Sequence, residues 1–200
     1  MDPTRVGILG GTFNPPHIAH LVAAAEARAQ LGLTRVLLLP VAVPPHKEAE
    51  RDPGAEERWE LCRAAAAGVE WLEVSRLELD RGGPSYTVDT LTELHERSPE
   101  DDLTFIVGGD MALDLPRWRE PREVLRLARL GVAERAEVSS DRIVSALAGL
   151  GAEDRVDFFA MPRLDVSSSD VRDRVASNRP VRWLVPDAVA ERIAARGLYT

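Results

Sequence analysis

Two histidines three residues apart, His17 and His20, close the segment GGTFNPPHIAH that starts at Gly10. The segment follows a short apolar run, Val6–Leu9, and opens a long helical pattern. Strand, glycine turn and helix start together make a place for phosphate, because a helix N-terminus offers unpaired N–H groups and a positive dipole end. At i and i+3 the two imidazoles share one face of the first helical turn and point at whatever the turn holds. His46 and Lys47 follow a second apolar run, and Ser167, Ser168, Ser169 and Arg172 stand at a later helix start. Hydroxyl residues there cap a helix or bind an anion, and Arg172 adds a fixed cation. Taken singly, a serine run is a cap, PPHK a solvated loop and HxxH a structural pair. All three lie just after strand ends, which favours a phosphate site.

The elements that must position these groups alternate along the chain. Val6–Leu9 precedes a helix over about His17–Leu31, stopped by Gly32. Arg35–Val41 reads as a buried strand because it lacks polar alternation. A proline-rich loop leads to a helix over about Ala55–Ala67. The strand Trp71–Leu79, the turn RGGPS and a helix over about Thr87–Arg97 follow. Leu103–Val107 is a buried strand closed by Gly108, Gly109 and Asp110. Arg122–Leu127, Leu130–Ala133, Asp141–Leu150 and Val156–Ala160 continue the alternation, and two helices from about Ser168 and Asp187 finish it. Such a pattern predicts an α/β fold, a Rossmann-like doubly wound parallel sheet with helices on both faces. Ligands of such sheets bind beyond the carboxyl ends of the strands.

With 200 residues, no repeat and no long linker, one domain spanning 1–200 is expected, its last two helices forming a C-terminal helical part. A net charge of −8 disfavours nucleic acid or an anionic membrane surface as partner. One cysteine, Cys62, set among apolar residues at helical spacing, reads as core and fits a reducing compartment. With neither a leader nor a membrane-length apolar run, the expected location is cytoplasmic. There is no GxxxxGK[ST] loop, no GxSxG elbow and no HExxH pair, and the first turn is not GxGxxG. These absences weigh against a P-loop enzyme, a serine hydrolase, a zinc protease and, through the glycine spacing, a dehydrogenase. No further ligand at convincing spacing makes His17 and His20 a metal site. His95 reads as a surface helix residue, and Trp59, Trp71 and Trp183 as core or helix-packing residues.

The segments GGTFNPPHIAH, VPPHK, SYTVDTL, GGD and VSSSDVR resemble the motifs of the bacterial nicotinate mononucleotide adenylyltransferases, within the HxGH nucleotidyltransferase superfamily. The first and last motifs are general to the superfamily; PPHK, SYTVDTL and a tryptophan soon after GGD select the branch. The resemblance implies transfer of the adenylyl group of ATP to nicotinate mononucleotide, with release of pyrophosphate, in NAD biosynthesis. It implies that Gly10, Gly11, Thr12 and Phe13 form the turn against which ATP lies. His17 and His20 would bind its phosphates, and Ser168, Ser169 and Arg172 its β and γ groups, with Ser167 also among the ATP-binding residues. Gly108 and Asp110 would approach the adenosine part. Lys47 would meet the phosphates at the junction of the two substrates. Asn14, Ser85, Tyr86, Thr87 and Trp118 would serve the acceptor, the first as a polar neighbour of the phosphates. Of these, Ser85, Tyr86 and Thr87 would offer backbone groups to its carboxylate, while Trp118 would stack on the pyridinium ring. His17, His20, Lys47 and Arg172 would carry the catalysis, with Mg2+ on the ATP phosphates. A homo-oligomer is compatible with all of this.

Two positions depart from the family pattern. Asn14 stands where the family usually has Asp, removing one negative charge, and Ala19 replaces the Gly of HxGH, adding a methyl near the expected nucleotide. Asp170 is expected to turn to solvent near its helix start. The rival readings are a sister transferase acting on phosphopantetheine or a polyol phosphate, and a nucleotide-binding protein that has lost activity.

Overall fold

The protein is described here by a computed structural model covering residues 3–44, 51–134, 138–152 and 154–200. Its strands form a six-stranded sheet of order β3-β2-β1-β4-β5-β6, with β1 at Arg5–Gly11, β2 at Arg35–Pro40, β3 at Leu72–Val74, β4 at Asp102–Gly108, β5 at Arg129–Glu134 and β6 at Val156–Ala160. The β1–β4, β4–β5 and β5–β6 ladders are parallel, with Val6 opposite Leu103 and Val132 opposite Phe158. This is the order of a doubly wound Rossmann-like sheet, as the apolar strands predict.

Among the described residues the helices are α1 (Ile18–Gln30), α2 (Ala55–Ala66), α3 (Leu77–Arg81), α4 (Thr87–Arg97), α5 (Gly109–Asp114), α6 (Pro121–Leu127), α7 (Ser140–Leu147), α8 (Ser168–Ala176) and α9 (Asp187–Arg196). Most follow the predicted bounds closely. The strand expected over Trp71–Leu79 does not: it ends at Val74, and Leu77–Arg81 is helical. Ser75 makes the switch. Its hydroxyl accepts from the Leu77 amide at 3.2 Å, and the Asp80 amide then closes a turn on the Arg76 carbonyl at 2.8 Å.

The chain clusters into two compact units. One comprises the residues up to Leu9, Ala23–Leu37 and Tyr86–Arg163. Its strands pack tightly enough that a Cβ on Gly7 would lie 2.7 Å from Leu33 Cδ1, a contact glycine alone avoids without movement. The other comprises Gly10–Val22, Leu38–Ser85 and Leu164–Thr200. There Leu61 and Ala65 of α2, Val171 of α8, Val185, Val189 and Ile193 of α9, and Tyr199 form one apolar cluster. The α2–α9 contact is reinforced where Arg192 meets Glu57 at 2.6 Å. Cys62 is buried, and burial pushes its thiol well above the usual range, which fits the expected core role. Trp183 corrects the expectation of a packing residue: it is 72% exposed, in left-handed backbone (φ 73), with Arg182 over its ring at 4.7 Å.

Candidate active site

In the second unit the glycine turn leaves β1 and reaches α1 through Thr12, Phe13, Asn14, Pro15 and Pro16. Phe13 is buried in left-handed backbone (φ 49), and Asn14–Pro15 is a cis peptide. Four carbonyl oxygens of this turn are taken up by donors from three other segments. Gly11 accepts from the Val41 amide at 3.0 Å and Thr12 from Arg58 Nη1 at 3.0 Å. Asn14 accepts from Arg172 Nη1 at 2.9 Å and Pro15 from the Ser168 hydroxyl at 2.8 Å. A peptide is planar and trans as a rule, so its N–H points opposite to its C=O. Binding the Thr12 carbonyl therefore turns the Phe13 amide the other way. A turn that would otherwise show negative oxygens to an anion has them fixed on donors instead.

His17 is buried and directly precedes α1, rather than lying inside its first turn. Its amide donates to His20 Nδ1 at 3.2 Å, and its carbonyl accepts from the His20 amide at 3.0 Å. His20 thus closes the helix start from its third position, as the acidic residue of a capping box does. The rings stack at 3.8 Å between centroids, and Phe13 meets His20 edge-on at 5.0 Å. With Nδ1 accepting, a neutral His20 carries its proton on Nε2, an assignment made from the hydrogen bond. The Ile18 amide, which no helical carbonyl can satisfy, donates to Leu184 at 3.0 Å. Ala19 is 5% exposed, so its added methyl packs in the interior.

Helix α8 begins with a full capping box. The Ser167 hydroxyl accepts from the Asp170 amide at 3.1 Å, and the Asp170 carboxylate accepts from the Ser167 amide at 3.1 Å and hydroxyl at 2.6 Å. Asp170 is exposed, as expected, and its carboxylate also serves as a cap, on which Ser167's hydroxyl is spent as well. The amides of Ser168 and Ser169 lie in the first turn of the helix, ahead of Asp170. Arg172, 9% exposed, is held by Asn14 on one nitrogen and by the Ser169 hydroxyl at 3.1 Å on another. Asn14, the histidine pair and the Ser168–Arg172 turn are thus brought together in one unit. Gly10 stands exposed at its edge. Ser85 accepts from the Ala42 amide at 3.0 Å and donates its own amide to Val43 at 3.1 Å, which fixes the backbone on the loop after β2. Lys47 and His46 lie outside the described residues.

In the first unit, Gly108 caps α5 and Asp110 sits in its first turn, at the carboxyl end of β4. Tyr86 caps α4 and Thr87 is its first residue. Trp118 is half-buried, edge-on to Phe105 at 5.9 Å. Arg119, which sequence reasoning did not single out, covers the Tyr86 ring at 4.9 Å and pairs with Asp89 at 3.4 Å. Asp89 therefore fixes the loop instead of serving only the helix dipole. Arg58 was missed as well, although a signal existed. It falls with Leu61, Cys62 and Ala65 on the apolar stripe of α2, where a charged residue needs an internal reason.

The fold and these features define a nucleotidyltransferase architecture, and comparison with known proteins agrees. The cytidylyltransferase-like family profile matches residues 8–174. A "Probable nicotinate-nucleotide adenylyltransferase" of Roseiflexus sp. (strain RS-1) is 44% identical over 100% of both chains. One from Moorella thermoacetica (strain ATCC 39073 / JCM 9320) is 41% identical over 98% of this chain and 92% of its own. Among solved structures, the Plasmodium falciparum nicotinic acid mononucleotide adenylyltransferase complexed with APC superposes with a TM-score of 0.79 at 16% identity. That match covers 98% of this chain and 97% of that one. The chain belongs to the cytidylyltransferase-like family and, within it, to the family of the nicotinate-nucleotide adenylyltransferases.

Proposed function

We propose that this protein transfers the adenylyl group of ATP to nicotinate mononucleotide, giving nicotinate adenine dinucleotide and pyrophosphate, a step of NAD biosynthesis. The observation that carries the reading is the clamp of Arg172 and Ser168 on the carbonyls of Asn14 and Pro15, beside the stacked histidines. It supports a turn built to receive phosphate, and the full-length likeness to adenylyltransferases supports the substrates.

In the proposed reaction a phosphate oxygen of the mononucleotide attacks the α-phosphorus of ATP, and the bond from that phosphorus to the β-phosphate bridge breaks. The attacking phosphate has a second pKa of about 6, so it is ionised near neutrality and no general base is needed. The task is to hold two anions in line and to neutralise charge on the departing pyrophosphate. His17, His20, the first amides of α8 and Arg172 supply that field, with Lys47 as a further cation. Gly10, Gly11, Thr12 and Phe13 form the wall for ATP, Gly108 and Asp110 approach its adenosine, and Ser169 adds a hydroxyl. Ser85, Tyr86, Thr87 and Trp118 take the acceptor, with Asn14 between its phosphate and the turn. Mg2+ would sit on the phosphates of ATP and offset their charge. No helix among the described residues is long and apolar enough to cross a membrane.

The test is pyrophosphate release from ATP with nicotinate mononucleotide, nicotinamide mononucleotide, phosphopantetheine and a polyol phosphate as separate acceptors. The reading requires turnover with the first and none with the last two. ATP binding with no pyrophosphate release from any of them would establish a nucleotide-binding protein instead.

A further inference from the structure

Arg58 is 1% exposed, and its guanidinium makes four hydrogen bonds inside one unit. Nη1 donates to the carbonyls of Thr12 at 3.0 Å and Val41 at 2.7 Å, Nη2 to that of Ala42 at 3.2 Å, and Nε to Asp52 at 2.9 Å. Asp52 is itself fixed, since the same oxygen accepts the Gly54 amide at 3.0 Å just before α2. One buried cation therefore gathers the carbonyl of the β1 turn and two carbonyls of the segment leaving β2. A planar fork is needed for this. A guanidinium offers five donors at fixed angles, whereas an ammonium is a point charge.

We infer that Arg58 is a positioning residue for the ATP-binding turn: by holding the Thr12 carbonyl it sets the Thr12–Phe13 peptide so that its oxygen faces inward and its amide outward. This rests on the adenylyl-transfer reading given above. Phe13 shows why a clamp is required. It holds left-handed backbone that a bulky side chain rarely adopts, so nothing local favours this orientation of the peptide. Without the guanidinium the Thr12 carbonyl is free to rotate toward the phosphate, replacing attraction by repulsion at that point. Arg58 acts through main-chain geometry and has no need to touch substrate. Its loss should fall on the ATP side of the reaction and spare the acceptor.

The experiment uses the full chain carrying Arg58→Lys, with Arg58→Met and Asp52→Asn as companions. Folded fraction is read by circular dichroism, KM is measured separately for ATP and nicotinate mononucleotide, and ATP binding is measured by direct titration. Arg58→Lys is expected to keep the native spectrum and a KM for the mononucleotide within twofold. Its kcat/KM for ATP is expected to fall at least tenfold, with Arg58→Met falling further and Asp52→Asn less. If Arg58→Met does not fold, Arg58→Lys decides alone. Unchanged ATP parameters in Arg58→Lys would overturn the inference. So would equal losses toward both substrates that only track the folded fraction. Should wild-type protein release no pyrophosphate, the adenylyl-transfer reading falls by itself. Arg58 is then judged by titration, where at least tenfold weaker ATP binding in Arg58→Lys upholds its role and equal binding refutes it.

Discussion

Arg172 Nη1 lies 2.9 Å from the main-chain oxygen of Asn14, a residue 158 positions earlier in the chain. That bond joins the start of α8 to the turn after β1 and leaves the arginine buried with its charge beside both. Arg172→Ala is expected to lower kcat/KM for ATP by about a hundredfold or more, the scale for losing one preorganised contact to a transferring phosphate. Arg172→Lys should recover only part, since an ammonium cannot serve Asn14 and Ser169 together in the same geometry. Pyrophosphate-release kinetics on both variants provide the check. An alanine variant with near wild-type efficiency would remove Arg172 from the mechanism.

His20 holds the start of α1 with Nδ1 and is proposed to meet phosphate with the rest of its ring. His20→Ala should cut turnover at least about a hundredfold while the circular dichroism spectrum stays native. The lost bond to the His17 amide should also cost about 1 kcal/mol of stability. The two effects are separable by comparing the thermal melt with the turnover number. Turnover within tenfold of wild type would sink the proposed role.

Trp118 stands edge-on to Phe105, which fixes the plane of its indole. Stacking on a cationic pyridinium is worth about 1–2 kcal/mol in a partly dry site. Trp118→Ala is therefore expected to raise the KM for the mononucleotide by about tenfold, with the KM for ATP nearly unchanged, and Trp118→Phe should lie between. A rise confined to ATP would contradict the assignment.

Asp170 belongs to a capping box and not to the proposed machinery. Asp170→Ala should lower stability by about 0.5–2 kcal/mol, as cap removal does, and leave kcat within a few-fold. Denaturant unfolding beside the turnover assay checks both halves. A loss of more than tenfold in turnover at full folding would give Asp170 a direct part in the chemistry.

Burial holds the Cys62 thiol neutral in the folded protein, well above the pH at which an exposed thiol ionises. Native protein should therefore leave Cys62 unreactive toward a thiol reagent at pH 8 and expose it only on unfolding. The linkage has a definite sign. Above about pH 8.5 the unfolded thiol releases its proton while the folded one keeps it, so stability falls as pH rises. The wild-type excess of stability over Cys62→Ala should narrow above that pH in denaturant melts. A constant difference from pH 7 to 10 would rule the mechanism out.

Much of the frame is legible from residue pattern. Val6–Leu9, Val36–Pro40 and Leu103–Val107 are apolar but for Thr104, each strand being buried along its length, and such runs announce buried parallel strands. The glycine turn, the histidine pair and the serine-capped helix are legible too, since each is local in sequence. What escaped notice depends on contacts between distant segments. Leu77 and Leu79 alternate as in a strand but out of step with Leu72 and Val74, and the break falls at Ser75, whose hydroxyl accepts from the Leu77 amide where the chain turns helical. Trp183 is large and apolar, so composition argues for burial, whereas the structure leaves it 72% exposed beneath Arg182. Arg58 falls on the apolar stripe of α2, which signals a buried charge but not its partners. Its meaning lies in carbonyls 46, 17 and 16 positions away, which no local pattern encodes.

The Ile18 amide rests on the Leu184 carbonyl, and the turn before it rests on Ser168 and Arg172. On the ribosome, the glycine turn and both histidines emerge long before any of those three supports exist. A nascent chain thus carries the residues proposed to face the nucleotide, until Ser168 and Arg172 are added, without these means to set them in place. The cradle is completed only once the chain has reached Leu184, so the proposed competence for ATP follows the α8 region and does not precede it.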